Sequence, residues 1–182
     1  AVKPRPAGIA VYVRGLVQAL AERHPELDLV LYVRDGRWWK RRFVADLAPA
    51  APRRWLLTGA PWELRGLDRF HGLGVRLPRR CPAPRSFTLH DLRGLEAQAQ
   101  SNEAWGQQRA ARIAQTVARA QGVLFHSEHT RERFRARFPA AAALPAAVAH
   151  PGIDHAHFRP AGGAACAALR ERCHLPGPFL LQ

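Results

Sequence analysis

Gly122-Val123-Leu124-Phe125-His126-Ser127-Glu128-His129-Thr130-Arg131 contains a strand, a turn and the first turn of a helix. The apolar run 123–125 leads to a histidine at the strand end. Ser127 can accept from the free amides of a helix start, and Glu128 places negative charge where the helix dipole favours it. Phe134 and Phe138, one turn apart, give the following helix its buried side. Three more short runs close in the same way: Asp68-Arg69-Phe70-His71, Ser86-Phe87-Thr88-Leu89-His90 and Ala147-Val148-Ala149-His150. Laid side by side as parallel strands, they bring four imidazoles to the carboxyl edge of one sheet, where open α/β sheets hold their ligands.

Working outward, residues 8–24 carry Ile9, Val13, Leu16, Val17 and Leu20 at helical spacing, with Arg14, Gln18, Glu22 and Arg23 between them. Pro25 ends that helix, and a β-rich run over 27–33 follows, closed by Asp35-Gly36. Arg37-Trp38-Trp39-Lys40-Arg41-Arg42 mixes indoles with cations, and its tryptophans are expected to tuck against the core. A strand is expected over 53–57, a short helix over 61–67 and a long polar helix over 103–120 with Ile113, Val117 and Ala120 on its buried side. This alternation predicts an α/β, Rossmann-like domain, a mostly parallel sheet flanked by helices. Residues 1–160 form that domain. Residues 161–182 read as a linker opening on Gly162-Gly163, a short helix and an apolar strand at 178–182 that begins a second domain.

The chain has 182 residues, enough for one good core. No apolar stretch approaches the roughly 20 residues that span a bilayer, and a cytoplasmic location is expected. Cys81, Cys166 and Cys173 show no C-x-x-C spacing and are expected to be reduced thiols. Lys3 and Lys40 are the only lysines among 28 cations, which together with the many alanines and prolines fits a GC-rich bacterial coding bias. A net charge of +14 predicts attraction to polyanions, whether nucleic acid, anionic headgroups or phosphate-bearing substrates.

The sharpest chemical feature is His90-Asp91, where an apolar strand delivers an imidazole and a carboxylate side by side to the crevice. His71 and His126 are further crevice candidates, each weighed against a histidine satisfied by a backbone carbonyl. Gly8 opens the first helix, and a glycine there lets an anion approach free N–H groups and the positive dipole end. Strand-end histidines also raise a metal-dependent hydrolase, but no H-x-H or H-x-x-x-H pair supports it outside His155-Ala156-His157, so no metal site is assigned. A basic binding module for nucleic acid or anionic membrane is the other alternative. Arg131, Arg133, Arg135 and Arg137 alternate and do not form one helical stripe, so no specific nucleic-acid contact is assigned.

The order of these motifs resembles the amino-terminal domain of GT-B-type, retaining glycosyltransferases of family 4. The matching pieces are Gly8-Ile9-Ala10-Val11-Tyr12-Val13-Arg14-Gly15-Leu16, Phe70-His71, Phe87-Thr88-Leu89-His90-Asp91-Leu92, His126-Ser127-Glu128-His129-Thr130-Arg131, and Pro151-Gly152-Ile153-Asp154 with Phe158-Arg159-Pro160. The ending Leu175-Pro176-Gly177-Pro178-Phe179-Leu180-Leu181 is similar to the start of the family's second domain. This likeness implies the first, acceptor-side half of a two-domain hexosyltransferase that moves a sugar from a nucleotide-sugar donor to a saccharide, lipid-linked or small-molecule acceptor. It implies no cofactor. By the same likeness Gly8 lies against the donor phosphates, His90 near the transferred sugar, and Asp91, Ser127 and Gly152 on the acceptor side and the hinge. A lipid-linked acceptor would bring the protein to the inner membrane face, and the isolated chain is expected to be inactive. Three departures stand out: Ala7 before Gly8, His126 where an aliphatic residue is usual, and His150 where an aromatic residue or proline is common.

Overall fold

The computed structural model describes residues 8–32, 54–56, 62, 64–92, 103–155, 158–175 and 177. The tryptophan stretch at 37–42, the expected strand at 178–182 and Ala156-His157 of the His155-Ala156-His157 pair lie outside them. Helices are α1 (Gly8–Arg23), α2 (Glu103–Val117), α3 (Glu128–Arg137) and α4 (Gly163–Arg172). Strands are β1 (Val30–Tyr32), β2 (Arg54–Leu56), β3 (Phe70–Gly72), β4 (Arg85–Leu89), β5 (Gly122–Phe125) and β6 (Ala146–Val148).

β3, β4, β5 and β6 form a four-stranded sheet in that order, every pair parallel, and β1 and β2 form a separate parallel pair. The chain is therefore an α/β protein whose sheet and helices are consistent with a Rossmann-like fold. Register explains the core. Phe87 lies opposite Val123 and Leu89 opposite Phe125, while Val123 and Phe125 face Ala146 and Val148, so one sheet face is a continuous apolar surface. Ile113 from α2 and Phe134 from α3 cover it, both fully buried with Phe87 and Phe125. Each such side chain contributes about 1.5–3 kcal/mol of burial. The Phe134 ring meets Phe125 and Phe138 at centroid separations of 5.2 and 5.3 Å, which accounts for the spacing of the two helix phenylalanines.

α3 starts as the sequence indicates: Ser127 is extended and its Oγ accepts from Thr130 N at 3.2 Å. Arg131 pairs with Glu128 one turn earlier. α1 packs through Val17 on Leu29 and Leu31, and Leu64 and Phe70 gather Val30, Tyr32 and Leu67 into a further small cluster. The helix expected over 61–67 is not there among the described residues; 64–66 form a turn in which Gly66 takes a positive φ of 76°. A left-handed glycine turns the chain before a short run can complete a second helical turn.

Ala1–Pro151 and Gly152–Gln182 are two compact units. In the second, α4 buries none of its residues. Its C-terminus closes with His174 N donating to Glu171 O and Leu175 N to Arg170 O, and His174 has φ 51°. This is the left-handed helix stop usually given to glycine. No helix among the described residues is long and apolar enough to cross a membrane.

Candidate functional site

Alternation along β4 and β5 separates two kinds of residue. Phe87, Leu89, Val123 and Phe125 enter the apolar core, so the next residues past each strand end, His90 and His126, turn to the opposite side of the sheet. Leu89 and Phe125 are register partners, which places the two imidazoles abreast at the carboxyl edge. His126 Nε2 and His90 Nδ1 are 2.8 Å apart, with ring centroids at 4.6 Å. His90 Nε2 lies 3.1 Å from the Leu73 carbonyl, and His126 Nδ1 lies 3.2 Å from the Ala149 carbonyl. Every ring nitrogen of the pair is thus within hydrogen-bond range of a partner.

Tyr12 of α1 meets both rings in T-shaped contacts, at centroid separations of 5.3 Å to His90 and 4.5 Å to His126. α1 therefore reaches the carboxyl edge at its first turns, and Gly8, its first residue, lies one turn before Tyr12. A Cβ at Gly8 would meet nothing within 4 Å. Asp91 is exposed and pairs at 3.5 Å with Arg109 of α2. His150 Nδ1 donates to the His126 carbonyl at 3.0 Å, tying the end of β6 to that of β5.

His71 differs from the strand-end reading. It sits within β3, and its Nδ1 and Nε2 are 2.8 Å from Ser86 Oγ and 2.9 Å from Thr88 Oγ1, two hydroxyls on one face of β4. The reason is register: His71 lies opposite Ser86, so the ring spans both hydroxyls of the neighbouring strand and remains in the sheet rather than at its edge. Burial pushes its pKa below the ordinary histidine value. Ser127 has its oxygen committed to the α3 cap and to Thr130 Oγ1 at 3.0 Å. Gly152 is exposed in the second unit.

His90 and His126 thus meet at one edge under Tyr12, with Asp91 next to His90 and paired to Arg109, whereas His71 and Ser127 are held by neighbouring hydroxyls and amides. Tyr12, Ser86 and Thr88 are the residues that reading the sequence for chemistry passes over. Their signals are local: Tyr12 is at i+4 from Gly8, and Ser86 and Thr88 share a strand face. Burial pushes His90 below its ordinary pKa; the Leu73 hydrogen bond and Asp91 oppose this, and His126 adds to it. Among the described residues no group of three or more histidine, cysteine, aspartate or glutamate side chains could hold a metal ion. No protein-family model, curated protein or solved structure matches the chain.

Proposed function

We propose that this chain is the acceptor-side half of a retaining, two-domain glycosyltransferase of the GT-B type, transferring a hexose from a nucleotide-diphosphate donor. The observation that carries the reading is the contact between Tyr12 and His90: it sets the glycine-opened start of α1 beside the histidine at the end of β4. Those are the two elements that the motif order assigns to donor phosphate and transferred sugar. Phosphate charge builds as the glycosidic bond breaks, and groups aimed at developing charge usually supply the largest part of a rate enhancement. The N-terminal amides and dipole of α1 are suited to that charge. His90 has both ring nitrogens engaged and so acts through position rather than by handing over a proton.

In the intact transferase, His90→Ala is expected to lower turnover about 10²–10³-fold. The lost hydrogen bonds account for about 1–2 kcal/mol of stability. Turnover equal to wild type, measured with labelled nucleotide sugar, removes His90 from the mechanism.

A second feature favours a peripheral contact with an anionic membrane. A cavity of about 390 Å³ is lined by Arg65, Arg79, Arg80, Cys81, Pro82 and Arg85. Arg85 opens β4, so this cavity is at the amino edge of the sheet, away from the histidines. Such a surface suits an enzyme whose acceptor is lipid-linked.

A further inference from the structure

The bonds through the two rings determine their own proton count. Two links end on carbonyls, those of Leu73 and Ala149, and a carbonyl oxygen accepts without donating, so His90 Nε2 and His126 Nδ1 each need a hydrogen. The inner nitrogens, 2.8 Å apart, need one hydrogen between them. Two hydrogens on the pair leave one of the three links without a proton. Four force two N–H groups against each other. Three satisfy every link, and three hydrogens on two imidazoles amount to one positive charge.

We propose that His90 and His126 form a single imidazole dyad carrying one shared positive charge at the carboxyl edge of the sheet, and that this charge serves a phosphoryl group. The second half rests on the transferase reading, in which the group is the diphosphate of the donor; the proton count does not. His126 is a positioning residue in this arrangement. It points His90 and lets the pair hold the third hydrogen, in a position where an aliphatic side chain could do neither.

The surrounding groups agree. Burial disfavours charge on the His90 ring. Asp91, adjacent to His90, favours positive charge nearby while Arg109 from α2 shares its carboxylate. From α1, Tyr12 sets its ring at right angles to both imidazoles, an orientation that aromatic quadrupoles favour. His150 past β6 donates to the His126 carbonyl, and His71 in β3 is committed to Ser86 and Thr88, so neither competes for the shared proton.

The test is nitrogen NMR of the chain labelled with ¹⁵N-histidine at about pH 5.5, below the ordinary histidine value near 6.5. Three N–H groups are expected on the pair, with one of the two inner nitrogens bare and a coupling across the inner bond. Two or four overturn the dyad. Inorganic pyrophosphate is then expected to shift the His90 and His126 resonances while leaving those of His71 in place. His126→Gln, which keeps an N–H facing His90 but no charge, is expected to weaken that response about tenfold. An unchanged response, or none in the wild type, overturns the phosphoryl role. Three N–H groups in a protein that transfers no sugar overturn the function while the dyad stands; two or four with transfer intact overturn the dyad alone.

Discussion

His71 and His90 are imidazoles of the same sheet put to opposite uses by their neighbours. His71 is spanned by two hydroxyls and has no charged partner among its hydrogen bonds, so burial alone acts on it and holds its pKa down. The sign follows from linkage: the unfolded chain takes up a proton near pH 6.5 while the folded chain still resists it. Stability present above that pH is lost as pH falls from about 6.5 toward the lower folded value. His71→Gln, which can still bond a hydroxyl, is expected to flatten this part of the profile. Urea midpoints at about pH 7.5 and 5.5 measure it, and an equal acid loss in both proteins contradicts the assignment. The identity of His71 as a half-buried, internally satisfied polar group was legible only as one of two readings. Its partners lie at sequence separations of 15 and 17, beyond what strand alternation specifies.

At the scale of elements, the link from β3 to β4 is the unusual one. Residues 73–84 join two parallel strands without a helix, and the turn after β3 is stapled from elsewhere. Leu73 offers its carbonyl to His90, and Thr116 of α2 lies 3.1 Å from Val75 O. Arg76 N bonds Gly74 O at 2.8 Å, a tight reversal that folds the chain back on the end of β3. A Cβ at Gly72 would lie 2.8 Å from the Arg76 carbonyl and 3.1 Å from Leu77 Cδ2. Gly72→Ala must therefore displace backbone, and a loss of about 1–3 kcal/mol in denaturant unfolding is expected; a loss below about 0.5 kcal/mol would mean that the turn gives way freely. Because Leu73 holds His90, the same substitution disturbs the histidine pair. The two long helices were plain from periodicity, with α1 and α2 where Val17 and Ile113 require them, whereas the short one expected over 61–67 was not. This turn was not, since close backbone approach leaves no pattern beyond the glycine itself.

Taken whole, the molecule sets its histidine edge and its arginine-lined cavity at opposite ends of the β4 strand. The cavity arginines have no carboxylate partner among the described residues, and the net charge of +14 acts in the same direction. Vesicles rich in anionic phospholipid are expected to sediment the protein at low salt and to release it as ionic strength rises toward about 0.5 M, where the Debye length falls below the roughly 8 Å of physiological salt. Arg79→Glu combined with Arg80→Glu is expected to weaken sedimentation at least about tenfold, each charge near a membrane contributing about 1 kcal/mol. Sedimentation that ignores both salt and substitution assigns the cavity no membrane role.

Periodicity and cap chemistry determine the elements locally: alternation makes Phe87 and Leu89 one face and Thr88 the other, and Ser127 begins α3, because each depends on residues a few positions apart. What the tertiary structure alone decided is which imidazoles meet. Parallel register sets Leu89 against Phe125, which brings His90 to His126 across 36 residues, while the same ladder sets His71 against Ser86 and retains it inside the sheet. Contacts of that range come from strand pairing, and the order of strands in a sheet is not a property of any single strand.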